Sequence, residues 1–235
     1  YSNTDRATYS GNLILSAFDI GLLTETSALG KVSANLDFDG RGFTQQTLDM
    51  RLQGNISSFG FEGYDYKNIS IQGALKDPVF NGDLAIDDPN VQLNFKGLVD
   101  VSKAFNQYDF EADVYYAELN KLNLFKRDSI SVFTGKVRVD MDGTTIDDVV
   151  GSFSFQETFY QNEHDDFYFD DFNIISSFEN EERVIDINSP DIVNGKVSGK
   201  FLIQDISNLF RNGLGSMYAN YIPEEVTTNQ YIDYD

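Results

Sequence analysis

Apolar and polar residues alternate with a period of two along much of this chain. The alternation is clearest in five runs, whose apolar members are Val32-Ala34-Leu36-Phe38, Leu48-Met50-Leu52, Val91-Leu93-Phe95, Phe110-Ala112-Val114-Tyr116 and Val137-Val139-Met141. Successive side chains of a β-strand point to opposite faces, so each run predicts a strand with one apolar and one polar face. We therefore expect half-buried antiparallel strands.

Turn-forming residues separate the apolar runs at intervals of about 8 to 12 residues. They combine Gly, Asn, Asp and Pro, as in Asp39-Gly40-Arg41-Gly42, Gln53-Gly54-Asn55, Lys76-Asp77-Pro78, Asn81-Gly82-Asp83, Asp87-Asp88-Pro89-Asn90, Asp142-Gly143-Thr144, Ser189-Pro190-Asp191 and Asn194-Gly195. This spacing predicts an all-β fold, an antiparallel meander of about 15 strands. One or two short helices are expected; the best candidate is over residues 205–212 and a second lies near residues 117–125.

The sequence also repeats itself after a little over a hundred residues. Residues 30–40 align with 135–143 across a two-residue gap, and residues 86–90 align with 187–191. Any two β meanders resemble each other in their alternation of apolar and polar residues. The evidence for the repeat is therefore the shared segments Gly-Lys-Val and Ile-Asp/Asn-Asp/Ser-Pro. It predicts two copies of one multi-strand unit, over residues 12–101 and 114–203.

No linker-like block of Gly, Ser, Pro or like charges divides the chain. We therefore expect one continuous segment over residues 1–235, ending in a short helix at 205–213 and an extension at 214–235.

Composition and charge exclude several classes of function. The 235 residues include 17 Lys and Arg against 38 Asp and Glu, which gives a net charge of −21, and there is no Cys and no Trp. The negative charge opposes nucleic acid, and the absence of Cys excludes disulfides and thiolate chemistry. No apolar run approaches the roughly 20 residues that span a bilayer, and Tyr1 does not open a leader sequence, so we expect a soluble segment of a longer protein.

Three stretches resemble the TamB family of the AsmA-like superfamily. They are residues 55–101, which contain Asn-Gly-Asp-Leu-Ala-Ile-Asp-Asp-Pro-Asn, residues 122–139, which end in Thr-Gly-Lys-Val-Arg-Val, and residues 187–199. The resemblance extends over nearly the whole chain and is carried by short β-strand phrases. It implies an elongated, curved, taco-shaped β sheet with an apolar groove along its concave face.

The resemblance also implies a location and a role. The parent chain would be anchored in the inner membrane of a Gram-negative bacterium and cross the periplasm toward an Omp85-type outer-membrane partner, which it would bind through parts absent from this segment. The implied role is to pass phospholipid between the membranes or to assist outer-membrane protein assembly.

The apolar residues of the strands are the candidate site. On a single curved sheet they either form a closed β-sandwich core or line an open trough that needs lipid. With the resemblance we favour the trough, lined by Val32, Ala34, Leu36, Phe38, Val91, Leu93, Phe95, Val137, Val139 and Met141. Phospholipid acyl chains are then the expected ligand.

The sequence predicts no catalytic, cofactor or metal site. His164 is the only histidine and lies in a polar turn, where a Ser-His-Asp arrangement has no rigid support. Weak Ca²⁺ binding by the acidic group of Asp165, Asp166, Asp170 and Asp171 stays open, but the group lacks the spacing of a Ca²⁺ loop, which favours a solvated face. Two other functions stay open: a module that lends edge strands to an outer-membrane polypeptide, and a carbohydrate-processing β-sandwich enzyme.

Overall fold

The computed structural model of the chain describes residues 8–42, 44, 47–76, 79–100, 106–126, 128–145 and 147–203. Within them, twelve β-strands and one short helix follow one another along the chain. The strands are β1 (Thr8–Asp19), β2 (Leu29–Arg41), β3 (Asp49–Phe61), β4 (Tyr64–Lys76), β5 (Val79–Asp88), β6 (Val91–Asp100), β7 (Asn106–Glu118), β8 (Ser131–Gly143), β9 (Val150–Asn162), β10 (Asp166–Glu179), β11 (Glu182–Ser189) and β12 (Val193–Gly199), and the helix is α1 (Ile20–Thr24).

All twelve strands form one antiparallel sheet, in which each strand pairs with its neighbours in sequence. Among the described residues the sheet is curved and open, with β1 and β12 at its two sides, so the predicted all-β curved meander is confirmed. In such a meander the connections alternate between the two ends of the strands. We call the end with the connections that follow odd-numbered strands end A, and the opposite end B.

The chain divides into two compact units, residues 1–199 and 200–235. The first unit contains all twelve described strands, and of the second the structure describes only residues 200–203. The helix predicted at 205–212 and the extension at 214–235 lie outside the described residues. The single continuous segment and the internal repeat stay predictions. In the described part of the chain, no helix is both long and apolar enough to cross a bilayer.

The described residues form twelve strands, where about 15 were predicted for the whole chain. Three predicted turns lie inside strands. Gln53-Gly54-Asn55 lies within β3, Asn81-Gly82-Asp83 within β5 and Asn194-Gly195 within β12. At Gly82 the glycine permits close contact between strands, since a Cβ there would lie 2.6 Å from the Cα of Gly73 on β4. Glycine in a strand interior often marks such a close approach.

The helix predicted near residues 117–125 is wrong. Residues 117–118 end β7 and pair with β8, and the following residues form hydrogen-bonded turns. Leu122 is buried in the core from within these turns, so strand pairing and packing override the helical spacing of the sequence.

The one described helix, α1, was not predicted. The Asp19 side chain accepts a hydrogen bond of 2.9 Å from the backbone N–H of Leu22 and caps the helix. Glu25, with a left-handed φ of 54°, ends it.

The main hydrophobic core lies on one side of the sheet near end A. Its buried members are Tyr66, Ile69, Val91, Ala117 and Leu122. The register shifts of five strand pairs also lie toward this end, for example between Leu15 and Phe18 in β1. Bulges of this kind bend and twist a strand locally, and here they lie at the same end of the sheet as the core.

Candidate functional site

The ten residues predicted to line a groove all lie on one face of the sheet, which we call the apolar face. They occupy alternate positions of β2, β6 and β8, as the period of two requires. Val32, Ala34, Val91 and Val139 are buried, whereas the other six are half-buried. The structure thus gathers the predicted residues on one surface, and their contact with lipid stays a prediction.

Cross-strand pairing extends the apolar face over the whole sheet. One row of directly paired residues crosses all twelve strands and contains only glycine and apolar residues: Gly11, Phe38, Leu52, Gly73, Gly82, Gly97, Phe110, Val139, Phe153, Ile174, Ile187 and Gly195. Residues directly opposite in an antiparallel ladder have neighbouring side chains on the same face. An apolar path therefore runs from one edge of the sheet to the other.

Aromatic rings supply much of this face. The ring centroids of Phe95 and Phe110 are 5.0 Å apart, and those of Phe153 and Phe155 are 4.6 Å apart. Among the described residues no second sheet packs over these rings. Half-buried side chains of this kind offer hydrocarbon a surface without polar groups that need partners.

At end A the apolar face is filled by the chain itself. The connection between β7 and β8 places Leu122, which is 1% exposed, on the core. The connection is held by hydrogen bonds from the backbone N–H of Leu119 to the Ser131 carbonyl at 2.8 Å and from the backbone N–H of Ser131 to Glu118 Oε1 at 2.9 Å. The open part of the apolar face therefore lies away from this end.

A network of hydrogen bonds around Asp88 lies at the same end of the sheet, beside the core. Asp88 is 1% exposed and accepts hydrogen bonds from the Tyr64 hydroxyl at 2.5 Å and from the backbone N–H groups of Lys67 and Asn90 at 2.9 and 2.8 Å. Burial, followed by the bond to Asp88, raises the pKa of Tyr64. Burial also raises the pKa of the neighbouring Tyr66 to about 12.

At end B a buried arginine holds the connection between β8 and β9. Arg183, 1% exposed, donates to the Val149 carbonyl at 3.2 Å, to Ser176 Oγ at 2.7 Å and to the Asp147 carbonyl. Its guanidinium also lies 4.6 Å from the centre of the Phe178 ring. Arg183 thereby ties this connection to β10 and β11.

The opposite face of the sheet is polar and carries many of the charges. Arg138 pairs with Glu111 and, at 3.2 Å, with Asp109. Lys136 lies 2.7 Å from Glu157, whose carboxylate raises the Lys136 pKa. These pairs are exposed to water, so they add little to stability.

A depression of about 620 Å³ lies on this polar face, over β2 to β7. Its lining contains the carboxylates of Asp83, Glu111 and Asp113, and it also includes Leu84 and the predicted groove residue Phe95. Carboxylates do not suit an acyl chain, so the apolar face is the better candidate for a lipid-binding surface.

The acidic group near the turn between β9 and β10 does not converge on one point. Asp166 accepts from Gln161 at 2.8 Å, Asp171 accepts from Gln156 at 3.4 Å, and the backbone N–H of Asp170 donates to Asp191 at 3.0 Å. Asp165, in the turn itself, is exposed. In the described ranges no three His, Asp or Glu side chains are grouped as metal ligands.

His164 is exposed in the same turn, where its backbone N–H donates to Asn162 Oδ1 at 2.8 Å. Its place in a polar turn agrees with the sequence analysis.

Sequence reasoning missed three residues that shape the face: Leu122, Asp88 and Arg183. The Asp-Asp-Pro-Asn turn could have indicated Asp88, because Asp and Asn commonly accept backbone hydrogen bonds at turns. No local signal indicates Arg183, which follows two glutamates in the sequence. Comparisons of the chain with protein-family models, with curated proteins and with solved structures give no match.

Proposed function

We propose that this chain is a non-enzymatic lipid-conduit segment of a TamB-like protein. In this proposal phospholipid acyl chains lie along the apolar face while their head groups stay in water. The parent protein would act in the periplasm of a Gram-negative bacterium, with its anchor in the inner membrane, and would support outer-membrane biogenesis.

The observation that supports the proposal best is the row of apolar and glycine residues across all twelve described strands, which contains no polar side chain. Burying an acyl chain of about 16 carbons is worth on the order of 13 kcal/mol, at about 0.8 kcal/mol per CH₂ group. A membrane offers the same chain a similar free energy. The apolar face would therefore lower the cost of moving lipid without setting its direction.

The charges of the polar face are compatible with this role. A net charge of −21 opposes adsorption to anionic membrane surfaces and to other acidic proteins. In an elongated sheet the charged face would thus limit unspecific contacts while the apolar face carries the ligand.

The proposal is tested by placing charges on the open apolar face. In the variant Phe38→Asp/Phe95→Asp, binding of a fluorescent phospholipid taken from vesicles should fall by about tenfold or more, because two carboxylates enter the hydrocarbon path. Both side chains are half-buried, so we expect the variant to keep the β circular-dichroism spectrum.

The matched control is Gln53→Asp/Gln92→Asp, which adds the same charge on the polar face and should bind lipid as the wild type does. Equal binding by a correctly folded Phe38→Asp/Phe95→Asp protein would contradict the proposal.

A second candidate function is a module that pairs with an unfolded outer-membrane strand. The observation that favours it is the exposed edge of β1, where Ile14 is 72% exposed and its strand has a neighbour on one side only in the described structure. An extended peptide can add to such an edge through main-chain hydrogen bonds. This function predicts peptide contacts at the edge instead of lipid contacts on the apolar face.

A further inference from the structure

Large apolar side chains are exposed at end A of the sheet. In the connection between β1 and β2, Leu22 is 80% exposed and Leu23 is 69% exposed. In the connection between β7 and β8, Leu124 and Phe125 are 53% and 38% exposed. Both connections join described strands, and they lie at the ends of these strands instead of along the two sides of the sheet. Exposed leucine and phenylalanine side chains in groups commonly mark a surface that meets an apolar partner.

The two connections are neighbours at this end, because the turn between β3 and β4 touches both. The backbone N–H of Glu62 in this turn donates to the Ala28 carbonyl at 2.8 Å. A Cβ atom on Gly63 in the same turn would lie 3.5 Å from Nδ2 of Asn123. The exposed apolar side chains therefore belong to one surface. We call it the end-A patch: Leu22, Leu23, Leu124 and Phe125.

The connection between β7 and β8 differs in charge from the chain as a whole. Residues 119–126 contain Lys121 and Lys126 and no Asp or Glu, although the chain has 38 acidic residues and a net charge of −21. Both lysines are exposed, and they flank the exposed pair Leu124 and Phe125. Lysines beside exposed apolar side chains are typical of segments that lie in a membrane interface, where the ammonium groups meet lipid phosphates.

The same connection is held in a fixed shape by its own contacts. Leu122 is 1% exposed and anchors it in the core, whereas Leu124, two residues further on, points outward. The Asn120 side chain donates to the Asp128 carbonyl at 2.7 Å and bridges the connection. The chain thus buries one leucine and keeps the next one in water, so the patch is ready to meet a partner without refolding.

We propose that the end-A patch lies in the interface of a lipid bilayer, where its four apolar side chains contact acyl chains and Lys121 and Lys126 contact lipid phosphates. A bilayer fits better than a second copy, which would set the lysines of two patches against each other. Glu25 and Glu62 are also exposed at this end, so the apolar side chains supply most of the binding and the lysines orient it.

The acidity of the remaining chain limits this contact to one end. A net charge of −21 keeps the polar face away from an anionic bilayer, so the sheet approaches it with end A first. The contact does not depend on acyl-chain binding by the apolar face, which the connection between β7 and β8 covers at this end.

A fluorophore at a single cysteine tests the proposal, because the chain has no cysteine of its own. The full chain with Leu124→Cys carries an NBD dye and is mixed with vesicles of phosphatidylcholine that contain phosphatidylglycerol as a minor component. The fluorescence should rise at least about twofold and shift to the blue, as the dye leaves water. The control is Glu182→Cys at the exposed start of β11, at end B, which should change little. Equal changes at the two positions, or no change at position 124, would overturn the proposal.

Flotation with the same vesicles measures binding by the unlabelled chain. Leu124→Gln/Phe125→Gln should bind about tenfold more weakly, and Lys121→Gln/Lys126→Gln about threefold to tenfold more weakly. All four side chains are exposed, so these variants should fold. The control Lys96→Gln/Lys136→Gln removes the same charge from the polar face and should float as the wild type does.

The remaining outcomes of flotation separate this proposal from its alternatives. Phe38→Asp/Phe95→Asp, which tests the apolar face, should still float, so the two proposals can fail separately. A wild type that does not float, or equal flotation of the patch variants and the control, would overturn the proposal. Self-association that is lost in Leu124→Gln/Phe125→Gln, without flotation of the wild type, would also overturn it, in favour of a second copy.

Discussion

At the scale of single residues, end A depends on buried polar groups that are almost fully paired. Asp88 brings together β4, β5 and the turn before β6 through its bonds to Tyr64, Lys67 and Asn90. Asn90 Nδ2 donates in turn to the Tyr64 hydroxyl at 2.9 Å. A network satisfied in this way fixes the end of a sheet, because breaking one bond leaves another buried group without a partner.

Tyr66 should make the unfolding free energy of the chain fall at alkaline pH. Its pKa of about 12 in the folded chain lies above the ordinary value of 10.0, because burial disfavours the phenolate. Its contribution to stability is therefore complete below pH 10 and is lost as pH rises toward 12. We predict that Tyr66→Phe reduces the fall in unfolding free energy between pH 8 and pH 11, measured by urea denaturation.

The control for this measurement is Tyr115→Phe, at a tyrosine that is 60% exposed, which should keep the alkaline fall of the wild type. A Tyr66→Phe protein with the same fall as the wild type would show that burial of this phenol does not shape the pH dependence.

At the scale of elements, the connection between β7 and β8 covers the apolar face at end A; we call this connection the plug. Leu122 belongs to the core cluster near end A, and Leu119 packs against that cluster together with half-buried residues of β3 to β8. The turns that carry both leucines are fixed by bonds to the start of β8. Arg183 secures the connection between β8 and β9 at the opposite end. Both ends are thus held by connections, while the middle of the apolar face stays open.

The plug predicts a contrast between two leucines of one connection. Leu122→Ala removes a side chain that is 1% exposed and should lower the unfolding free energy by about 2 to 5 kcal/mol. Leu124→Ala, at a residue that is 53% exposed, should change it by no more than about 0.5 kcal/mol. Urea denaturation of the two variants checks this. Similar losses in both would mean that the connection does not plug the core.

The strands and their faces could be predicted from sequence because period-two alternation is a local signal. All ten predicted site residues lie on the apolar face for this reason. Strand ends were harder to predict, because Asn-Gly-Asp is typical of a turn but also occurs where two strands approach closely. At Gly82 it is the second case. The positions of Leu122 and Arg183 depend on residues distant in sequence, which no local pattern specifies.

At the scale of the whole sheet, a single layer leaves one apolar face without a second layer among the described residues. Sandwich folds bury such a face against another sheet. Here six of the ten predicted groove residues are half-buried, so part of their apolar surface is still exposed to solvent. An apolar ligand could cover that surface. The central claim is therefore that acyl chains bind there.

A photo-crosslinking amino acid at position 95 tests this claim most directly. The full chain is illuminated with phospholipid vesicles and an unfolded outer-membrane β-barrel polypeptide, and adducts are identified by mass spectrometry. Position 92, on the polar face of the same strand, is the control. The account predicts phospholipid adducts at position 95 and few at position 92. Polypeptide adducts alone at position 95, or equal lipid labelling at both positions, would contradict it.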